Sequence, residues 1–557
     1  MGLELSDPPG ERRLLGWREE AQRDLAARRA RSQARDPRRD RFRTRHRRAE
    51  NGGTDRGQAA AARQRHGAGD ALLPDPDAHP ARRRARAGRG ADRQVGRERP
   101  GTRAGREGVR LAPHGSGGGV NVIDRYLADF EAFAGNGASG APTWLTQIRQ
   151  GAIARFAELG FPTTKQEEWR FTSVAPIADR RFLLEHAPRS PLPAPSDLER
   201  LCVGVGPRVV FVNGRHAPGL SSGAALPAGV QATSLAAAIG NGVSGDLARE
   251  HLARHAGWHD SAFAALNTAF LADGAFVHVP AGVTLEQPLE VLFLSSGRPG
   301  ADGPTVSHPR SLFVIERGAE AAVVETYAGL GDGVYWTNAV TEIVVREGAR
   351  AELYRVQREG PQGLQIATTH SRQERDSFLG VHVLTLGAAL ARHDITTVLA
   401  GAGAELILNG LYLLSAAQHA DHHTVIDHAQ PHCASHEYFN GVLAERAHGV
   451  FNGRIVVRPG AQRTDSKQTN NNLLLSTEAR ADSQPQLEIY ADDVKCTHGS
   501  TVGPIDETQL YYLRSRGLSA EAARSILTYG FGAEILDRMR RPAVRERLDR
   551  LVRERLA

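Results

Sequence analysis

Short strand-like runs recur through the second half of this 557-residue chain and limit its fold more than any other feature. Between residues 275 and 493 the runs alternate apolar and polar residues, and Gly-Ala phrases such as "RGAEAAV", "EGARAEL" and "AGAELIL" stand between them. Glycine at turns and alternation along short strands are typical of a coil of parallel strands in which each turn covers the one before. Hairpin turns are scarce here, which disfavours a β-sandwich, and the helical stretches of an α/β fold are missing. The pattern therefore predicts a parallel β-solenoid.

Helical patterns flank the solenoid on both sides. Apolar residues follow helical spacing over 122–160, then a proline-rich linker follows, and Asn213-Gly214 indicates a β-hairpin. After the solenoid, Ser519 and Pro542 occupy positions typical of helix starts. We predict a basic low-complexity extension (1–118), an N-terminal helical region with a hairpin (119–272), a β-helix core (273–505) and a C-terminal helical module (506–557).

Residues 1–118 differ in charge from the rest of the chain. They contain 29 Arg and 16 acidic residues, against 41 basic and 47 acidic residues in the remainder, so this segment carries the excess behind the net charge of +7. It has few residues able to build a core that would offset the entropy of ordering. Three interpretations stay open: a disordered leader, a basic arm for nucleic acid or acidic lipid, and upstream DNA translated through a misplaced start. The mildly acidic body gives no indication of a nucleic-acid groove.

The cysteines and the missing motifs exclude several classes of protein. Cys202, Cys433 and Cys496 are far apart and form no C-x-x-C pair, which argues against a disulfide framework and leads us to expect a cytoplasmic protein. No apolar run reaches about 18 residues and no secretory signal is present, so we expect no integral membrane segment. Without a P-loop or a G-x-G-x-x-G between strand and helix, we expect no nucleotide bound by this chain.

The stretch "DDVKCTHGSTVGPIDE" contains the first candidate for metal chemistry. Cys496 and His498 stand two residues apart and would share one face of a strand. Thiolate and imidazole are ligands for zinc and iron, but two ligands do not close a tetrahedral site. The residues alone leave open whether this pair packs or binds metal, and a metal site would need donors from elsewhere, including another chain.

Two further polar stretches are interpreted as structural. "HADHHTVIDHAQPHCASHE" is rich in histidine but matches no tight metal motif, and strand alternation would divide its side chains between two faces. In "TDSKQTNNNLLLS", we expect Asn470, Asn471 and Asn472 to form hydrogen-bond ladders inside the coil.

Several long motifs resemble those of the SufB/SufD family of iron–sulfur cluster assembly proteins. They are "FNGRIVVRPGAQRTDSKQTNNNLLLS", "PQLEIYADDVKCTHGSTVG" and "LYYLRSRGL", and "KQEEWRFTSV" and "FVNGR" resemble the N-terminal region of the SufD branch. The resemblance covers roughly residues 122–550 and leaves 1–118 without a counterpart. It implies a mainly β protein with a right-handed parallel β-helix core, flanked by an N-terminal α/β-helical region and a C-terminal helical region.

The resemblance also implies a scaffold subunit that is not itself an enzyme. Such a SufD-like protein pairs through its β-helix with the paralogue SufB and holds a SufC ATPase on its C-terminal helical module. Cys496 and His498 fall on the family's Cys-x-His, so both are candidate ligands at an iron–sulfur cluster formed transiently at the SufB–SufD interface. His498 is the better candidate, with SufB supplying the other donors. SufB-like members differ in this stretch, so the cysteine favours the SufD branch.

Alternative functions stay open beside this one. A SufB-like scaffold paralogue belongs to the same class, and a homodimer outside the complex and a bound flavin are not decided by the residues. A β-helix carbohydrate-active enzyme would need paired carboxylates, but Asp492 and Asp493 are adjacent on a strand and face opposite ways. Nucleic-acid binding rests on residues 1–118 alone.

The misplaced-start interpretation makes a direct prediction about the protein in its own cells. Isolated protein is expected to yield no peptides from residues 1–118 and a mass matching a chain that begins near residue 119. Because trypsin would cut the Arg-rich segment into very short pieces, the digestion should use a protease specific for acidic residues. Peptides from 122–160 report recovery, and any peptide from within 1–118 would contradict this interpretation.

Overall fold

A computed structural model of the protein describes residues 122–556 except 137–139, 185–191, 205, 223–225 and 297–302. The expectations for residues 1–118 lie outside the described residues. The helices are α1 (Val122–Asn136), α2 (Thr143–Leu159), α3 (Ala175–Ala178), α4 (Pro195–Leu201), α5 (Leu235–Ile239), α6 (Gly242–His251), α7 (Ala262–Ala269), α8 (Glu507–Ser515), α9 (Ala520–Leu536) and α10 (Pro542–Leu556), with 3₁₀ turns at Glu167–Trp169 and Pro218–Leu220.

The strands begin in the N-terminal region and continue to the C-terminal helices. They are β1 (Leu183–Leu184), β2 (Arg208–Val212), β3 (Arg215–His216), β4 (Gln231–Ser234), β5 (Ala275–Val279), β6 (Leu289–Ser296), β7 (Thr305–Ser307), β8 (Arg310–Ile315), β9 (Glu320–Leu330), β10 (Tyr335–Val345), β11 (Arg350–Arg358), β12 (Gly363–Gln373), β13 (Phe378–Thr385), β14 (Leu390–Leu399), β15 (Glu405–Leu414), β16 (His419–His428), β17 (Ala434–Leu443), β18 (His448–Val457), β19 (Asp465–Leu474), β20 (Arg480–Ile489) and β21 (Lys495–Gly503).

Two sheets form the solenoid, and from β8 onward successive strands alternate between them. Sheet A has the order β20-β18-β16-β14-β12-β10-β8-β5-β4, and sheet B has the order β21-β19-β17-β15-β13-β11-β9-β6-β2-β3. From β5 and β6 onward, neighbouring strands within each sheet are parallel and in register, as where Ala420 on β16 pairs with Gly449 on β18. The predicted parallel β-helix is confirmed.

Inward-facing side chains of both sheets make one apolar core along the solenoid. Its members extend from Val209 on β2 to Ala491 after β20, and most are Val, Leu, Ile, Ala and Phe. Each turn alone would expose this face to water, so stacking against the next turn is what stabilises it.

The N-terminal region covers the first turn of the solenoid. β2 pairs in parallel with β6, and β4 pairs antiparallel with β5, so these two solenoid strands are not left as free edges. Asn213 and Gly214 join β2 to β3 with positive φ, which confirms the predicted hairpin turn. Helices α1, α2 and α7 bury Phe156 and Phe263 against Trp336 on the outer side of sheet A.

One helix was not expected from the proline-rich linker. Helix α4 begins at Pro195, whose fixed φ suits the first helical turn and whose missing N–H is not needed there. The linker composition therefore concealed a short helix.

The C-terminal helices begin where the sequence predicts and pack on sheet B. The Ser519 hydroxyl accepts a hydrogen bond from the Ala522 amide at 3.1 Å and caps α9, and Pro542 opens α10. Side chains of both helices, including Leu548, share an apolar cluster with Leu411 on β15. The helical module is thus built onto the outer face of the solenoid.

Strand alternation divides the asparagine segment between the two faces of β19. Asn470 and Asn472 are buried inside the solenoid, where the Asn472 amide donates to Asn470 Oδ1 at 2.8 Å and the Tyr412 hydroxyl donates to Asn472. Asn471 faces outward and donates to Asn440 Oδ1 of the preceding turn at 3.3 Å. The inter-turn asparagine ladder therefore lies on the outer face, not in the interior.

Large aromatic rings fill the interior near the C-terminal end because glycines on neighbouring strands leave room for them. Gly410 on β15 lies beside the Phe439 ring, and Gly441 on β17 lies beside the Tyr412 ring. A Cβ at either glycine would overlap ring carbons.

Replacing Gly410 with alanine tests this interior packing. We expect Gly410→Ala to lower the free energy of unfolding by about 1–3 kcal/mol, because the new methyl group displaces a buried ring from its rotamer. Urea unfolding followed by circular dichroism measures the change. Gly503→Ala is the control, since a Cβ there meets nothing within 4 Å. Equal unfolding midpoints for the two variants would contradict this account.

Candidate functional site

Cys496 and His498 lie on β21, the last strand of sheet B. Cys496 pairs with Ser466, and His498 pairs with Gln468, and both partners on β19 are buried. Paired residues of a parallel sheet point to the same face, so Cys496 and His498 point toward the solenoid interior. Within the described residues no further strand pairs with the other edge of β21, so Cys496 is only partly buried and His498 is exposed. The candidate pair therefore lies at the open end of the coil.

A chain of buried hydroxyl groups ends beneath Cys496. His428 Nε2 lies 2.8 Å from the Ser435 hydroxyl, and this oxygen lies 2.7 Å from the Ser466 hydroxyl. Ser466 is the residue paired with Cys496. Burial lowers the pKa of His428 to about 4, so the imidazole at the inner end of the chain is neutral at physiological pH.

A second polar column ends beneath His498. The Gln468 amide donates to Glu437 Oε2 at 2.6 Å, and Gln468 pairs with His498 on the next turn. Burial raises the pKa of Glu437 to about 7, although hydrogen bonds from Thr424 and Gln468 oppose the rise. The titratable carboxyl group of Glu437 therefore lies two turns inward from His498, in the same column of side chains.

The thiol of Cys496 is not activated by its own chain. Burial raises its pKa, the charge of Asp465 raises it further, and a hydrogen bond from the Ser466 backbone lowers it. A metal ion would have to displace the thiol proton on binding. No group of three or more His, Cys, Asp or Glu side chains converges within the part of the chain that the structure describes. An iron or zinc ion bound by Cys496 and His498 would thus need further ligands from outside this pair to complete its coordination.

The histidine-rich stretch is divided by strand alternation, as the sequence predicts. Inward positions hold His422 and His428, outward positions hold His419, His423 and His436, and the intervening turn holds His432 and Cys433. The Cys433 thiol is buried and donates to the Gly401 carbonyl at 3.3 Å.

The N-terminal "KQEEWRFTSV" segment docks onto sheet A, a contact that the sequence did not predict. The Arg392 guanidinium lies 3.7 Å from the Trp169 ring centroid and donates to Asp421 at 2.7 Å. The Thr172 hydroxyl also donates to Asp421, at 2.5 Å. Burial opposes ionisation of Asp421, but Arg392 and His423 hold the pKa of its carboxyl well below the usual range. No local pattern indicates this contact, because Thr172 and Asp421 are 249 residues apart in the sequence.

None of the described helices is long and apolar enough to cross a bilayer.

Comparisons with known proteins match the chain along most of its described length. Residues 297–531 match the SUF system FeS cluster assembly, SufBD core domain, and residues 121–291 match the SufBD protein N-terminal region. An iron–sulfur cluster assembly SufBD family protein of Synechocystis is 32% identical over 422 residues, which are 73% of this chain and 90% of that protein. Escherichia coli SufD is 29% identical and covers 73% of this chain and 92% of its own length. Bacillus subtilis SufB is 28% identical and covers 51% and 61%.

The buried Glu437 carboxyl predicts a pH dependence of stability that one substitution removes. Burial raises the folded-state pKa of Glu437 to about 7, above the unfolded-state value of 4.5. The protonated carboxyl group therefore contributes its full stability below pH 4.5, and this contribution is lost as the pH rises through 7. Glu437→Gln keeps the shape without the charge. We expect it to match the parent protein near pH 4 and to be more stable at pH 8 by on the order of 3 kcal/mol.

Urea unfolding of both proteins at the two pH values measures this difference. Glu405→Gln is the matched control, because Glu405 is exposed at the start of β15. An equal pH dependence in the parent protein and in Glu437→Gln would contradict the predicted titration.

Proposed function

Because the chain belongs to the SufBD family of iron–sulfur cluster assembly proteins, we propose that it serves as a scaffold subunit of the SufD type. The similarity to Escherichia coli SufD extends over 92% of that protein, against 61% for Bacillus subtilis SufB. The Cys-x-His at Cys496 and His498 supports the same branch. In this role the chain builds and transfers nascent clusters together with partners and carries no catalytic residues of its own.

The open end of the solenoid is the observation that carries the proposal. β20 and β21 are the terminal strands of the two sheets, so each presents an edge of backbone N–H and C=O groups that no described strand pairs. Such edges pair readily with another chain. Exposed apolar side chains lie on or beside these strands: Ile489, Tyr490 and Val502. We propose that the β-helix of a SufB paralogue covers this end.

Pairing at this end would bring partner donors to the candidate ligands. His498 is exposed there, and Cys496 is half-buried beside it. An iron–sulfur cluster is the cargo of such a site, bound transiently while it is assembled. The chain contributes His498 and Cys496 in this proposal, and SufB contributes the ligands that complete the coordination.

The C-terminal helical module is the proposed docking site for the SufC ATPase. Tyr511 on α8 is 73% exposed, and Ile526 on α9 is 43% exposed, although α9 and α10 are otherwise anchored on sheet B. Large apolar side chains left on the surface of an anchored helix pair are typical of a protein interface. ATP would be bound by SufC and not by this chain, and we propose that the complex acts in the cytoplasm.

Reconstitution of the complex tests the proposal. The chain is co-expressed with SufB and SufC, purified as a complex and supplied anaerobically with iron and sulfide. His498→Ala is expected to leave the complex intact and to lower the visible absorbance of the bound cluster several-fold, because a ligand is lost. Thr497→Ala is the control, since that exposed side chain points to the opposite face of β21. A chain that copurifies with neither partner and whose His498→Ala variant leaves cluster formation unchanged would refute the scaffold role. An unchanged cluster yield in an intact complex would refute only the ligand role of His498.

The same reconstitution separates the SufD type from its alternatives. A SufD-type subunit is expected to require SufB for cluster formation. Cluster formation by this chain with SufC alone would instead identify it as the SufB-like paralogue. A homodimer that does not exchange with SufB would show that a second copy, not SufB, covers the open end.

A further inference from the structure

Two histidines face each other on the outer surface of sheet A, away from the candidate cluster ligands. His419 begins β16 and His448 begins β18, and the two residues pair across adjacent turns. Their Nδ1 atoms are 3.1 Å apart. The ring centroids are 4.7 Å apart with the ring planes at 75°. The site is half-exposed, since 24% of the His448 side chain is accessible to solvent.

The hydrogen-bond partners determine which nitrogen of His419 carries its proton. The Thr172 hydroxyl donates its only hydrogen to the ionised Asp421 carboxylate at 2.5 Å. His419 Nε2 lies 2.8 Å from the same hydroxyl oxygen, so it must be the donor in that contact. When the ring carries one proton, that proton is on Nε2, and His419 Nδ1 presents a lone pair.

The same reasoning applies to His448. Its Nε2 lies 2.7 Å from Oδ2 of Asp482 on β20, and a carboxylate accepts hydrogen bonds without donating them. The proton of a neutral His448 ring is therefore on Nε2, and Nδ1 presents a lone pair. Two lone pairs at 3.1 Å repel each other unless a positive charge lies between them. That charge is either a second proton on His448 or a metal ion.

The geometry favours a metal ion over a shared proton. The ring centroids are 4.7 Å apart and the Nδ1 atoms are 3.1 Å apart, a difference of 1.6 Å. If the two rings pointed straight at each other, this difference would equal two ring radii, which is more than 1.6 Å. The two rings therefore point toward each other at an angle. Two imidazole nitrogens that each bind one ion at about 2.0–2.1 Å stand roughly 3 Å apart. A carboxylate on the far nitrogen, as Asp482 provides for His448, is the partner that orients metal-binding histidines.

The surrounding charge also suits a cation. Asp421 and Asp482 lie next to the two rings, and the ion pairs of Arg392 with Asp421 and Asp394 offset the positive charge that its guanidinium places near His419. The two carboxylates are held in place by Thr172, by Arg392 and by His448 itself, so the site is formed without rearrangement of the strands.

We propose that His419 and His448 bind a divalent transition-metal ion through their Nδ1 atoms, with water in the remaining positions. Imidazole nitrogen suits Zn²⁺, Fe²⁺, Co²⁺ and Ni²⁺. Since no third His, Cys, Asp or Glu joins the pair in the described part of the chain, the bound ion is exchangeable and not a permanent structural metal. The site does not depend on the proposed scaffold role.

Cobalt binding to the full chain tests the site, because tetrahedral or five-coordinate Co²⁺ with imidazole ligands absorbs visible light. The parent protein is expected to bind one equivalent of Co²⁺ that Zn²⁺ displaces, with a rise in the melting temperature. His448→Ala is expected to abolish this binding, and Asp482→Asn to weaken it about 10- to 100-fold by loosening the ligand. Calorimetric titration with Zn²⁺ gives the affinities, and the melting temperature of each metal-free variant verifies folding.

One control variant places the metal at this pair. His436→Ala removes another outward-facing histidine, on β17, and is expected to bind Co²⁺ as the parent protein does. His448→Gln retains a polar side chain at this position and is also expected to lose Co²⁺ binding. It takes the place of His448→Ala if that variant folds poorly. Equal binding in parent and His448 variants, or a parent protein that binds no Co²⁺ and titrates only protons at this pair, would overturn the proposal.

Discussion

The in-register stacking of parallel strands is the constraint on which the rest of the structure depends. A side chain that faces inward on one turn lies over an inward side chain of the next turn. Glu437, Gln468 and His498 form one such column, and Ser466 and Cys496 belong to another. The stacking that buries Gln468 also leaves His498 at the surface, because no described strand continues sheet B beyond β21. The candidate ligands are exposed as a consequence of where the coil ends.

Charged groups inside the solenoid are accommodated in two different ways. Near the N-terminal end, Glu325 is paired with Arg355 at 2.5 Å and accepts hydrogen bonds from Ser311 and Thr341. Near the open end, no cationic side chain in the described part of the chain pairs with Glu437, and burial raises its pKa to about 7. A paired charge resists removal of either partner, whereas an unpaired carboxyl group responds to pH. The pH sensitivity near the proposed interface therefore comes from Glu437, and in the N-terminal half of the coil burial likewise raises the pKa of Glu359 to about 7.

The two faces of the same strands have separate tasks. The inner face packs the core and aligns the columns that end at β21, while the outer face of sheet A holds the N-terminal segment through Trp169 and Arg392. The proposed metal pair extends this outer network from Thr172 through His419 and His448 to Asp482. Asp482 lies on β20, the last strand of sheet A, so both candidate sites belong to the last turns of the coil.

The sequence by itself determined the features that depend on local periodicity. These are the parallel β-helix, the hairpin at Asn213, the helix start at Ser519 and the shared face of Cys496 and His498. It did not reveal the docking of Thr172 on His419, 247 residues away, or the pairing of His419 with His448. The turns differ in length and the Gly-Ala phrases are irregularly spaced, so no repeat shows which residues of successive turns lie side by side. Only the tertiary structure decided that register, because it is set by packing between turns and not within them.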